Sequence, residues 1–261
     1  IIDFTKHIFF NMKKNSNSKI LFYIIPSMLG SGAEASIASI INTKNKKMIS
    51  VNENYVSDGI IYDLNFLSCV SKNSVLLGSI DALTHCVESL YSFNKNDYLD
   101  FYSINSINHF LNKISLHKII NVKKIDKKYL LEFCILSFNG GLAQNNAGSG
   151  ICHALAHAAE KITGCSHGTC ISYFIQPTLK YISRDELKLS KKLNKKLSLY
   201  ISKCLNHKKN ISDFKKIKKI VLKESSFNNL IEEAKKDPCW RLYYKPVNVD
   251  ILKNMIRSFD I

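Results

Sequence analysis

The spacing of apolar residues changes once along the chain. Up to about residue 70 they come in strand-sized runs. Lys19 to Ser27 reads as a strand, with the apolar centre Ile20–Ile25, and Pro26 ends it. A glycine loop follows, Gly30-Ser31-Gly32-Ala33-Glu34. Ala35 to Ile41 and Lys47 to Val51 read as two strands around the polar turn at residues 42–46, and Gly59 to Asp63 as a further short strand. From Asn73 onward the spacing is helical. Ser74 is the expected cap of a helix reaching Tyr91, and a second helix covers Ser106 to Ser115. A third runs from Lys127 to Gln144 behind Asp126. A fourth starts near Gly150 and stops at Gly164, a residue suited to the left-handed position after a helix. A fifth begins at His167 behind Ser166 and runs to Ile182, with Pro177 as an expected kink. Arg184–Cys204, Asp213–Lys223, Phe227–Lys236 and Val249–Ser258 complete the helices. The boundary falls near Val70–Ser74: residues 1–72 form an α/β unit, and residues 73–261 are all helical, with no substantial strand content.

Composition narrows the function classes. Hydrophobic residues make up 46% of 261, enough for a sizeable core, and no apolar run is long enough to span a bilayer. The formal charge is +16, but the lysines are spread along the chain and form no basic stripe interleaved with aromatics. Neither nucleic acid nor a membrane is therefore an expected partner. Lys191-Lys192 and Lys215-Lys216 read as solvated helix faces. The eight cysteines contain no C-x-x-C pair and read as reduced thiols of a cytoplasmic protein. The chain starts with Ile and reads as a fragment.

The polar residues within the apolar helices carry the chemistry. Asp81-Ala-Leu-Thr-His85 puts a carboxylate and an imidazole on one helical face, flanked by Val75, Leu76, Leu77, Ile80, Leu83 and Val87. Burying such a pair without a partner is costly, so a shared cation is a physical reason for it. His153 and His157 share a face of the fourth helix in the same way. His167 follows after the turn at Gly164, and spacing alone leaves open whether it folds back toward His153. Cys86 and Cys152 directly adjoin helical histidines. One residue along a helix turns a side chain by about 100°, so neither thiol faces where its neighbour faces. Cys165 also lies near the histidines in sequence and stays a weaker candidate.

Taken together, Gly78-Ser-Ile-Asp81-Ala-Leu-Thr-His85-Cys-Val-Glu88 and His153-Ala-Leu-Ala-His157 with His167-Gly168 resemble the iron-containing (group III) alcohol dehydrogenase family. The segment from Pro26 through Gly30, Gly32 and Glu34 to Ser36 resembles that family's proline-led glycine loop, and Asn139-Gly-Gly141 its glycine-containing helix. Asp63 matches its aspartate before the helical domain. The likeness covers nearly the whole chain and is weakest after Ile182. It departs from the family at Ser27, Met28, Ser31 and Ala33, and it lacks the family's earlier Gly-Gly-Gly-Ser phosphate turn.

The resemblance implies an α/β remnant of a dinucleotide-binding domain followed by an all-α metal-binding domain, the dehydroquinate synthase-like fold. It implies Asp81, His85, His153 and His167 as ligands of Fe(II), and Zn(II) also suits three imidazoles and a carboxylate. It implies NAD or NADP as hydride carrier, with Ser27, Gly30, Ser31, Gly32 and Lys47 on the cofactor side. His157 is implied near nicotinamide and substrate, either relaying a proton or only orienting a neighbour. The implied partner is a small alcohol or aldehyde. The basic charge and the unusual loop fit an anionic aldehyde, such as a phosphonate aldehyde. A homodimer is one assembly consistent with this reading. Two alternatives stand beside it: a truncated, non-catalytic metal-binding relative, and a zinc enzyme of the glycerol dehydrogenase kind.

Overall fold

The computed structural model describes residues 21–42, 47–52, 55–184, 186–206 and 211–259. It is mostly helical. Among the described residues four short strands come first, β1 (Tyr23–Ile24), β2 (Ala38–Asn42), β3 (Lys47–Val51) and β4 (Gly59–Ile60), ahead of all the helices counted below. β1 pairs with β4 in parallel, and β2 with β3 antiparallel, Ile40 opposite Ile49. Twelve helices follow: α1 (Leu64–Leu67), α2 (Lys72–Ser89), α3 (Asp97–Lys113), α4 (Leu116–Ile120), α5 (Lys127–Ala147), α6 (Ile151–Thr163), α7 (His167–Ile182), α8 (Lys191–Leu205), α9 (Ile211–Leu222), α10 (Glu224–Lys236), α11 (Pro238–Arg241) and α12 (Val249–Arg257). Among the described residues no strand follows Ile60; only an isolated bridge joins Ser92 and Tyr243. No helix among them is long and apolar enough to cross a membrane.

Several expected boundaries move, each for a local reason. The cap of α2 is Ser71, not Ser74: its Oγ accepts the N–H of Ser74 at 3.1 Å. α3 begins at Asp97, nine residues earlier than expected, because Asn96 caps it through the Leu99 N–H at 2.9 Å. Its buried face includes Ser103 and Ser106, and its exposed face carries Tyr98 and Phe101, so apolar spacing hides its first turns. The expected strand at Ala35–Ile41 is a single 3-10 turn at Ala33–Ala35 and then β2. There Glu34 turns inward and accepts from Tyr62 Oη at 2.8 Å and Ser137 Oγ at 3.0 Å. β1 and β4 are shorter than expected, and α8 starts at Lys191 behind Ser190. Lys19, Ile20 and the turn residues 43–46 lie outside the described residues.

α2 is the central helix and packs against α3, α5 and α7; α6 packs on α7 and α10. Thirteen of the eighteen α2 residues are buried, so polar groups on every face need partners. Thr84 donates to Ile80 O at 2.7 Å, Ser79 to Leu76 O at 2.6 Å, and Ser89 to Cys86 O at 2.8 Å. Asp81 and His85 are the exceptions that the candidate site must explain. The glycine loop docks on this scaffold. An added Cβ at Gly78 would lie 1.8 Å from Leu29 O, and one at Gly141 2.3 Å from Gly32 O. Loop and helices therefore touch backbone to backbone, one turn before Asp81.

Candidate metal centre

Three helices deliver the cluster. α2 carries Asp81 and His85 on one face, as the four-residue spacing requires. α6 starts behind Gly150 and carries His153 and His157. Gly164 ends it in the left-handed region, φ 68°, where a side chain would be strained. The chain reverses, and His167 opens α7 as its first residue. The turn brings His167 back to the cluster.

The nitrogen atoms converge on one oxygen. Asp81 Oδ1 lies 3.3 Å from His153 Nε2, 3.5 Å from His167 Nε2 and 3.8 Å from His85 Nε2. Ligands on one tetrahedral ion with bonds of about 2.0–2.2 Å stand roughly 3.3–3.6 Å apart, so His153 and His167 stand at ligand spacing from Asp81, and His85 a little beyond it. The ligand atoms of Asp81, His85 and His153 all lie within 4.8 Å of one another, and His167 joins them through Asp81. Asp81, His85 and His153 are fully buried, and the His85 and His153 rings stack at 4.4 Å. Nδ1 of buried His85 has no hydrogen-bond partner among the described residues. That nitrogen is on the far edge of the ring from Asp81; the Nε2 edge, 3.8 Å from Asp81 Oδ1, is the one that faces the carboxylate and could ligate an ion. The donor set therefore fits a divalent metal.

Electrostatics point the same way. Burial opposes a charged Asp81, but His85, His167 and His153 outweigh it and hold the carboxyl well below the usual carboxylate range. Burial pushes His85 down to about 3, against the pull of Asp81. His167 goes up to about 10: burial opposes its charged form, and Asp81 and Glu160 override it. His153 is raised too, because Glu88 and Asp81 outweigh its burial. The Asp81 carboxylate thus favours positive charge on His153 and His167, while burial keeps His85 neutral.

Partners outside the cluster orient it. His153 Nδ1–H donates to Glu88 Oε2 at 2.5 Å, which leaves Nε2 facing Asp81. Glu88 also accepts from Gly150 N at 2.8 Å and Cys152 N at 2.6 Å. His167 Nδ1 lies 3.5 Å from Glu160 Oε2. Sequence reasoning gave Glu88 no role, although it stands seven residues after Asp81 on the same helical face. It also missed Asp237, whose Oδ2 accepts from His157 Nδ1 at 2.8 Å. No local signal ties Asp237 to a residue 80 positions earlier.

His157 lies outside the tight group. Its ring is 5.2 Å from the His167 ring and 6.0 Å from that of His153, and its side chain is 22% exposed. Cys86 and Cys152 are buried, and Cys152 Sγ turns to Ile171 O at 3.7 Å. Cys165 Sγ turns to Asp213 O. Of the cofactor-side candidates, Gly30 and Gly32 are buried in the loop's packing, whereas Ser27 and Ser31 are exposed. Lys47 opens β3 opposite Asn42.

A helical scaffold holding a buried carboxylate beside three imidazoles defines a candidate metal-binding domain. The chain belongs to the Fe-containing alcohol dehydrogenase family, whose C-terminal model matches residues 75–259. It is 26% identical over 243 residues to alcohol dehydrogenase 4 of Schizosaccharomyces pombe, covering 87% of this chain and 56% of that protein. It is 28% identical over 185 residues to 4-hydroxybutyrate dehydrogenase of Clostridium kluyveri, covering 69% of this chain and 49% of that protein. The fold matches the iron-containing alcohol dehydrogenase of Thermococcus thioreducens with a TM-score of 0.71 at 20% identity, covering 90% of this chain and 63% of that one. The chain thus spans about half the length of the curated relatives it matches.

Proposed function

We propose that this chain is the metal-binding half of an alcohol dehydrogenase or aldehyde reductase. It moves a hydride between NAD(H) or NADP(H) and a small alcohol or aldehyde. The observation that carries this reading is the approach of three imidazole Nε2 atoms to the single oxygen Asp81 Oδ1. Asp81, His85, His153 and His167 hold one divalent ion, Fe(II) or Zn(II). Bound there, the ion supplies Lewis-acid polarisation of the substrate oxygen.

The chain's own residues do the rest. One carboxylate and three neutral imidazoles leave a divalent ion with net positive charge. Burial of Asp81, His85 and His153 keeps water from screening that charge. Hydride transfer at carbon requires a proton to leave or reach the oxygen. His157 stands between the cluster and solvent and carries that proton, and Asp237 holds its Nδ1–H so that Nε2 is free to exchange. Ser27 and Ser31 on the exposed loop, with Lys47, meet the dinucleotide, and Gly30 and Gly32 let the loop lie flat against α2 and α5 respectively. The likeness to a 4-hydroxybutyrate dehydrogenase supports a substrate with an anionic end. Eight unpaired cysteines support a reducing compartment, the cytoplasm.

The test is metal analysis of the protein produced from its whole gene, with a panel of neutral and anionic aldehydes and NADH or NADPH. The expected result is about one tightly held divalent ion per chain and reduction that stops when the ion is removed. Metal uptake without turnover of any aldehyde would instead make the chain a non-catalytic metal-binding relative.

A further inference from the structure

A second group of metal-ligating atoms lies beside the first, and the reading above uses it only in part. His157, Asp237 and Cys239 each offer an atom, and these lie within 4.8 Å of one another. His157 Nδ1 and Asp237 Oδ2 are 2.8 Å apart, bridged by a proton. Around one ion with bonds of about 2.0–2.3 Å, nitrogen, oxygen and sulfur ligands stand roughly 3.3–3.7 Å apart. An ion replacing that proton therefore has to part His157 and Asp237 by only about 0.5–0.9 Å, with the Cys239 sulfur already within 4.8 Å of both.

The local structure holds two of the ligands in place. Asp237 is the cap of α11: its Oδ1 accepts from Cys239 N at 2.8 Å, and Pro238 fixes the first helical position. The backbone of Asp237-Pro-Cys239 is thus set, and the second carboxylate oxygen is turned to His157. α11 packs directly on α6, which carries His157. The way in is open, since His157 and Asp237 keep 22% and 17% of their side chains exposed.

The structure assigns to His157, Asp237 and Cys239 a second cation site, selective for soft divalent ions such as Zn(II), Cd(II) or Co(II). The thiolate sets the selectivity: soft ions favour sulfur, whereas the first cluster offers only nitrogen and oxygen. Charge allows two ions side by side. A carboxylate and a thiolate neutralise a divalent ion at the second site, so it adds no net charge next to the first. Binding releases the thiol proton to solvent, and the proton between His157 and Asp237 moves to His157 Nε2, so that the imidazole ligates as a neutral group through Nδ1. If the proposed function holds, an ion there also ties up the proton-carrying His157, and excess soft metal inhibits.

Cobalt titration of the purified protein tests this without any assay of turnover. The wild type should take up two equivalents of Co(II), the second developing a sulfur-to-cobalt charge-transfer band in the near ultraviolet. Cys239→Ser should keep one equivalent and lose the band. Asp237→Asn keeps the helix cap and should weaken the second equivalent by at least about tenfold; it decides the matter if Cys239→Ser does not fold. Asp81→Asn should lose the first equivalent and keep the band. Uptake of one equivalent only, or a band that survives Cys239→Ser, overturns the inference. A protein that binds two ions as described yet reduces no aldehyde leaves this site standing and removes only the proposed function.

Discussion

Glu88 Oε2 lies 2.5 Å from His153 Nδ1, and across the same ring Nε2 lies 3.3 Å from Asp81 Oδ1. One imidazole therefore joins two buried carboxylates that sit two helical turns apart on α2. The Glu88 side fixes which nitrogen carries the proton, and the Asp81 side is left with a lone pair to offer an ion.

Removing that support should loosen the ion without removing a ligand. Glu88→Ala is expected to lower metal affinity by roughly 10–100-fold, read by competition with a chelator of known strength. It also strips acceptors from the N–H groups of Gly150 and Cys152 at the start of α6. Unchanged affinity would mean that packing alone orients His153.

His153 and His157 share a helix but not a duty. His153→Ala should abolish binding at the first site and turnover together. His157→Ala should keep the first ion and cut turnover by roughly 10²–10⁴-fold, as loss of a proton-transfer group does. Metal content of the two variants, measured beside kcat, separates the cases. Equal loss of the first ion in both would make His157 a ligand of that site.

Much of this arrangement was legible in the chain itself. The caps Asp126 and Gly164 and the strand Lys47–Val51 stand where local chemistry puts them. The pairing of Asp81 with His85 followed from helical spacing. What was not legible is long-range. The return of His167 depends on the turn after Gly164, and the contacts of Glu88 with His153 and Asp237 with His157 cross 65 and 80 residues. No local pattern encodes such contacts. The early start of α3 was hidden because serines occupy part of its buried face.

The loop's docking on α2 predicts a contrast between two glycines. Gly78→Ala pushes a methyl group into Leu29 O and should cost about 3 kcal/mol, the upper end for overpacking. Gly164 has open space around it, so Gly164→Ala should cost only about 1 kcal/mol from its positive φ. Thermal or urea unfolding of the two variants checks the order. A milder effect at Gly78 would mean that the loop lifts off the helix easily.

Buried thiols predict loss of stability in alkali. Burial, with Glu34 nearby, pushes Cys134 up to about 12, and burial pushes Cys204 to about 12 against a hydrogen bond from Tyr200. An unfolded thiol ionises near 8.5. Folded values above unfolded ones give stability that is complete below about pH 8.5 and lost as pH climbs toward 12. The urea midpoint should therefore fall between about pH 8 and pH 11, and less steeply in Cys204→Ala. A flat midpoint over that range would contradict the burial of these thiols.

X-ray absorption at the zinc edge, on the Cys239→Ser protein loaded with one equivalent of Zn(II) so that the second site offers no sulfur, tests the central claim most directly. The account predicts three imidazole nitrogens and one carboxylate oxygen at about 2.0–2.2 Å, no sulfur in that shell, and loss of one nitrogen in His167→Ala. A shell containing sulfur, or one that His167→Ala leaves unchanged, would contradict the assignment of Asp81, His85, His153 and His167.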